Sequence, residues 1–306
     1  MHYSLRGYAT AVVGELTGDQ VGRQVAEDLT SVAHLVSRTN ELALVMTDFT
    51  VPVQARRAVL DDLLRSRVHP AALRLVLRSV ETERPEELAT SLHELYELAL
   101  HLQTLGPAEL AAEEPIATRS AWREFASGYA WAVFEEVAET SELEVIEDEV
   151  FHFARIVESH PSLSGALSDP TRSADDRGRL VEGLLRGKVV PATLRVVQIP
   201  LQGHVRDVVG ALDWLAEQAA AARGWRVARV RTARPVDDAE QANLAEAMQR
   251  ITGHPVELHI SEEPDLLGGA VIQVGDLLVD ASASHRLEVL EEHLLGREGA
   301  MTGAAH

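Results

Sequence analysis

Cysteine is absent from all 306 residues, which excludes disulfides, thiolate nucleophiles, iron–sulfur clusters and cysteine-bound zinc. Lysine is almost as scarce. Lys188 stands alone among 28 basic residues, a skew that nothing in folding demands. Aromatics make up only 4% of the chain, while Ala, Leu, Val and Glu dominate, a composition that leans toward helix. Positive charge is short overall, with 28 Lys and Arg set against 48 Asp and Glu for a formal charge of −20. No basic stripe is visible, which argues against nucleic acid as a partner and against direct docking onto anionic lipid. No apolar run approaches the roughly 18–20 residues that a membrane span requires. The longest, such as Leu42 to Met46, have the size of ordinary core segments. No apolar h-region follows Met1, so no secretory signal is expected and the chain reads as soluble and cytoplasmic.

What the sequence does contain is a repeat. Sliding the chain by 121 residues matches Gly7-Tyr8-Ala9 to Gly128-Tyr129-Ala130 and Ala11-Val12 to Ala132-Val133. Asp48 and Thr50 fall on Asp169 and Thr171, Leu63-Leu64-Arg65 on Leu184-Leu185-Arg186, and Leu73-Arg74 on Leu194-Arg195. Of the 70 positions from 7 to 76, 21 are identical with no gap. A constant offset over that length indicates duplication.

Each copy reads as a bundle of five or six short helices. In the second copy Tyr129, Val133 and Val137 recur on one helix face, and Ile146, Val150, Phe153 and Val157 form another stripe. His160-Pro161 ends the second helix, Ser173 suits an N-cap, and Gly187 suits a stop. Pro191 fits the first turn of a helix carrying Leu194 and Val197. Asp207 to Arg223 closes the bundle. Between the copies, Leu105-Gly106-Pro107 through Pro115 argues for a break, with Ala108 to Glu114 as a short helix at most.

After Gly224 the period changes from 3.6 to 2. Arg226–Thr232, Val256–Ile260, Ala270–Val274 and Leu277–Ala283 read as strands, with Gly275-Asp276 as a two-residue type II′ turn. Asp237 and Glu240 start an intervening helix whose buried stripe is Leu244, Ala247, Met248 and Ile251. A last helix is expected from about Ser284 to Leu295, followed by a disordered tail. The expected division is 1–112 and 113–224 as tandem helical bundles, 225–295 as a small α+β domain, and 296–306 as tail. The fold class is mainly α with a small mixed sheet at the C-terminal end.

No motif carries chemistry. Gly183-Leu184-Leu185-Arg186-Gly187-Lys188-Val189 suggests a phosphate loop, but it has three residues between its glycines and lacks Ser or Thr after Lys188. Helix termination explains it better. His93 and His101 lie two turns apart on a helix, too far to share an ion. Asp175-Asp176 and Asp237-Asp238 sit where helix N-termini favour negative charge. No Gly-x-Ser-x-Gly elbow exists. Catalytic, cofactor and metal residues are therefore expected to be none.

Pro264-Asp265-Leu266-Leu267-Gly268-Gly269-Ala270-Val271-Ile272-Gln273-Val274-Gly275-Asp276, with His254-Pro255-Val256-Glu257-Leu258 before it and Val279-Asp280-Ala281-Ser282 after it, resembles one family's C-terminal signature. That family is the delta subunit of bacterial F-type ATP synthase, the counterpart of the mitochondrial oligomycin-sensitivity-conferring protein. Gly128-Tyr129-Ala130-Trp131-Ala132-Val133-Phe134 resembles its first helix, and the resemblance covers about 120–295. Asp280-Ala281-Ser282 departs from the family's usual Asp-Gly-Ser, and the first 112 residues are extra.

The resemblance implies a non-catalytic peripheral-stalk subunit without cofactor, at the cytoplasmic face of the bacterial membrane. Its partners would be the N-terminal helices of alpha subunits and the b-type stalk, and its task to resist rotor torque. It places the alpha-binding groove between the first and fifth helices, at Tyr129, Val133, Val137, Leu194, Val197 and Leu201, each of which would serve equally well as a filler of the bundle core. Gly268, Gly269, Gly275 and Asp276 are the structural signature. On this basis the second copy is expected to bind alpha, and loss of residues 1–112 to leave most of that binding intact. The rival reading is a stand-alone helical adaptor built on the same fold.

Overall fold

The computed structural model describes residues 1–280, apart from 17–18, 114–115, 117, 139, 203–206, 264–265, 267 and 275–276. The described residues form thirteen α-helices and a four-stranded sheet whose first strand precedes the last helix. The first copy comprises α1 (Tyr3–Gly14), α2 (Asp19–Arg38), α3 (Asn40–Thr47), α4 (Val53–Leu64), α5 (Pro70–Thr82) and α6 (Leu88–Glu113). The second comprises α7 (Arg119–Glu136), α8 (Glu142–Ser159), α9 (Pro161–Ser168), α10 (Ala174–Leu185), α11 (Pro191–Gln198) and α12 (Val208–Ala222).

The duplication is visible in the backbone. Advancing α3 and α4 by 121 residues gives the bounds of α9 and α10 without adjustment. Internal bonds repeat as well. Buried Arg56 donates from Nη1 to the Met46 carbonyl at 3.3 Å, and its counterpart Arg177 donates to the Leu167 carbonyl at 3.4 Å. Asp48 accepts from the amide and hydroxyl of Thr50, and Asp169 does the same for Thr171. Those bonds hold both carboxyls below the usual carboxylate range. Ahead of α5, Asp28 accepts from the His69 amide at 2.7 Å; ahead of α11, Glu149 accepts from the Val190 amide at 3.1 Å. Each carboxylate takes up a backbone donor that a helix start would otherwise leave unpaired.

Local signals set several boundaries. α8 stops at Ser159 and α9 begins on Pro161, as the restriction on the residue before proline requires. Ser173 accepts from the Asp176 amide as N-cap of α10, and Gly187 lies beyond its end at φ 74°. One expectation fails here. α6 runs unbroken to Glu113 through Gly106-Pro107, where the sequence argued for a break. A proline removes a single N–H donor, and a long helix bonded on both sides of it need not end.

Residues 1–219 form one compact unit. Leu5, Leu29, Leu60, Leu75 and Leu92 are fully buried in the first copy, and Ile146, Leu167, Val181, Val196 and Ile199 in the second. The sequence boundary near 112–113 therefore divides two copies of a motif within one packed body.

The described residues from 220 onward form the second unit. Its strands are β1 (Arg226–Thr232), β2 (Val256–Glu262), β3 (Ala270–Val274) and β4 (Leu277–Asp280), in the order β2-β1-β3-β4. β1 and β2 run parallel because α13 (Asp238–Thr252) carries the chain back between them. β3 pairs antiparallel with β1 and with β4, where Val274 faces Leu277. α13 opens with a full capping box between Asp237 and Glu240 and closes on Gly253 in the left-handed region. Leu244, Ala247 and Met248 pack on Ala228, Val230, Val256, Ile272 and Val274. Ile251, expected in that stripe, is 57% exposed. Gly268 and Gly269 take φ 141° and 82° where the loop enters β3, backbone that favours glycine. The expected turn at Gly275-Asp276, the helix from Ser284 and the tail lie outside the described residues.

Candidate functional site

The most distinctive geometry in the helical unit lies where α1 of the first copy packs along α7 of the second. Gly7 and Gly128 make the approach possible. A Cβ on Gly7 would overlap the Phe125 carbonyl oxygen, and a Cβ on Gly128 would overlap the Ser4 carbonyl oxygen. Ser4 and Phe125 are counterparts under the 121-residue shift, as are Gly7 and Gly128. The contact is thus self-complementary, as in a two-fold dimer, but made within one chain.

Two arginines repeat the same symmetry. Arg74 of α5 donates from Nη2 to the Ala132 carbonyl on α7 at 3.1 Å. Its counterpart Arg195 of α11 donates from Nη2 to the Ala11 carbonyl on α1 at 3.3 Å. Each guanidinium therefore ties its own copy's fifth helix to the other copy's first. Each arginine also lies against its own copy's tyrosine, Tyr8 or Tyr129, while the carboxylates around the two differ. Arg74 also donates to the Tyr8 hydroxyl at 3.3 Å, and that hydroxyl donates to Glu135. Arg195 pairs with Glu136 at 3.0 Å and with Glu15. Burial pushes the phenols of Tyr8 and Tyr129 above the usual tyrosine range. Burial likewise raises Glu15, against the lowering effect of Arg195.

The two copies differ on the next face of the first helix. Trp131 replaces Thr10 and is 46% exposed, whereas Thr10 is buried. The Arg78 guanidinium of α5 sits 5.6 Å from the ring centroids of both Tyr8 and Trp131, so an exposed indole is held by a cation.

Of the six residues assigned to an alpha-binding groove, Tyr129, Val133, Val137, Val197 and Leu201 are buried and Leu194 is half-buried. Val133 turns away from Gly128, roughly 140° round α7 at about 100° per residue, and Val137 is buried just past the helix end as its C-cap. The seam between α7 and α11 also has α1 beside it, through the bonds of Arg195 to Ala11 and Glu15. Gly183 to Lys188 ends a helix as expected, with Lys188 Nζ donating to the Leu184 carbonyl at 2.8 Å. Asp175 and Asp176 lie in the first turn of α10. Sequence reasoning missed Arg74, Arg195 and the glycine crossing as a contact. Their signal was present as identities in the repeat, but identity alone does not say that the two copies touch there.

The family model described as "ATP synthase delta (OSCP) subunit" matches residues 125–294, more than half of the chain. The chain belongs to that family. It is 33% identical over 275 residues to an ATP synthase subunit delta of Frankia casuarinae, covering 89% of this chain and 88% of that one. It is 31% identical over 301 residues to the ATP synthase subunit delta of a Nocardioides species, covering 96% of this chain and 98% of that one. A chain of the Toxoplasma gondii mitochondrial ATP synthase hexamer shows 19% identity over 56% of this chain and 97% of its own, at a TM-score of 0.36. That likeness is too slight to carry weight.

The delta (OSCP) subunit is a non-catalytic member of the ATP synthase peripheral stalk. No helix among the described residues is long and apolar enough to cross a membrane. The family model begins inside α7 and leaves the first copy out. The Nocardioides match spans 96% of this chain and so includes most of that copy. This delta subunit therefore shares its extra N-terminal copy with at least one relative.

Proposed function

We propose that this delta subunit joins the catalytic head to the b-type stalk on the cytoplasmic side of the membrane and holds the head against rotor torque. In this reading the second helical copy takes the N-terminal helix of an alpha subunit, and the C-terminal unit holds the end of the b-type stalk. The family match across 125–294 supports it, because it runs through both the second copy and the C-terminal unit. The groove would follow the α7–α11 seam, with Leu194 at its accessible edge and Tyr129, Val133, Val137, Val197 and Leu201 as its floor.

Two substitutions separate floor from edge. Leu194→Asp, at a half-buried site, should weaken an alpha N-terminal peptide about tenfold or more in a calorimetric titration while melting hardly moves. Val133→Asp places a carboxylate at a fully buried site and should lower the melting temperature sharply. If Leu194→Asp stays folded and binds the peptide as the parent chain does, the groove lies elsewhere.

A further inference from the structure

A second apolar surface, away from the α7–α11 seam, opens between α8, α9 and α10. It is a groove of about 520 Å³ whose lining includes Ile156, Leu163, Ala166, Leu180 and Leu184. Ile156 is 48% exposed and Leu184 37%, so the groove reaches solvent. Of its lining residues only His160 and Lys188 are ionisable, and none is acidic. In a chain carrying 48 acidic residues against 28 basic ones, that is a local reversal of sign. Lys188 gives one N–H to the Leu184 carbonyl and has no carboxylate partner among the described residues. Two of its three donors are left for another group.

The helices beside the groove carry a second peculiarity. Gly165 in α9 and Gly183 in α10 are exposed, and a Cβ on either would have no atom within 4 Å. Nothing among the described residues requires glycine there, although glycine within a helix costs about 1 kcal/mol relative to alanine. The first copy carries Leu44 and Asp62 at these positions, and Glu41 where the second has Ser162. Small residues beside an open apolar groove let another backbone come close.

We propose that the α8–α9–α10 groove is a docking site for an amphipathic helix of a partner subunit. The helix lays its apolar face over Ile156, Leu163, Leu180 and Leu184, with Asp or Glu along the flank that meets Lys188. The charge of the lining selects an acidic flank, and Gly165 and Gly183 keep the groove's rim low. The site does not depend on the α7–α11 reading.

The test uses the full chain and a designed amphipathic peptide of about five helical turns, with leucines on one face and glutamates on the flank. A second peptide carries lysines in place of the glutamates. Fluorescence anisotropy should show the glutamate peptide binding about tenfold or more tightly than its lysine twin, and Lys188→Glu should reverse that order. Leu184→Asp and Ile156→Asp, both at exposed sites that folding tolerates, should each cost about tenfold or more. Leu194→Asp should leave this binding unchanged. The proposal falls if both groove variants bind as the parent chain does, or if only Leu194→Asp weakens the peptide.

The assembled synthase gives an independent reading, because Lys188 is the chain's single lysine side chain. Acetylation followed by mass spectrometry should show Lys188 protected about tenfold or more in the purified complex relative to the free chain, with the N-terminal amine as internal reference. Equal acetylation in both would overturn occupancy of the groove.

Discussion

Gly128→Ala should lower the melting temperature by about 2–12 °C, although alanine is the better helix former. A Cβ at that position overlaps the Ser4 carbonyl oxygen, so α1 and α7 must separate to admit it. Overpacking of this kind costs typically 1–3 kcal/mol, and a helical unit of this size loses about 2–4 °C per kcal/mol. The sign is the informative part. Gly178→Ala, in α10 with no atom within 4 Å of the new methyl, should instead stabilise by about 0.5–1 kcal/mol. Opposite signs for the same chemical change would locate the crossing. Stabilisation by both would mean that α1 and α7 do not meet so closely.

That contact marks the limit of what the sequence shows on its face. Helix ends were legible because their causes are local: Pro161, Ser173, Pro191, and the Asp237–Glu240 box act within a turn or two. The duplication was legible because 121 is a constant offset. The hairpin of β3 and β4 was legible because Val274 and Leu277 are separated by two residues. The packing of α1 on α7 joins residues more than 100 positions apart, and neither helix advertises a partner. Gly7 and Gly128 stood in the repeat as identities, while their close approach depends on a long-range fold. For the same reason Tyr129, Val133 and Val137 read equally well as groove or core. Periodicity identifies an apolar face without naming what covers it. Lys188 shows a related limit. Its oddity was plain in the composition, but only the groove around it gives that oddity a use.

Removing residues 1–112 should damage the remaining chain, contrary to the expectation that the second copy works unaided. Deletion uncovers the face of α7 around Gly128 and Ala132, and it strips Arg195 of its bond to Ala11 and its pairing with Glu15. The uncovered face already complements a near-copy of itself, since α1 presents Gly7-Tyr8-Ala9 where α7 presents Gly128-Tyr129-Ala130. The shortened chain should therefore pair α7 with α7 and turn the internal pseudo-two-fold into a true dimer. Sedimentation should show concentration-dependent dimerisation for the shortened chain and a monomer for the full one, with lower melting at dilution. A shortened chain that stays monomeric and melts like the full chain would show that α1 contributes little cover.

A subunit proposed to hold the head to the stalk against rotor torque should be needed for synthesis and not for hydrolysis. Proton-driven ATP synthesis in reconstituted vesicles tests that requirement most directly, using synthase stripped of this chain and then supplied with it. The account predicts that the stripped enzyme hydrolyses ATP at the head yet synthesises none under a proton gradient, and that the full chain restores synthesis. Undiminished synthesis in its absence would contradict the account.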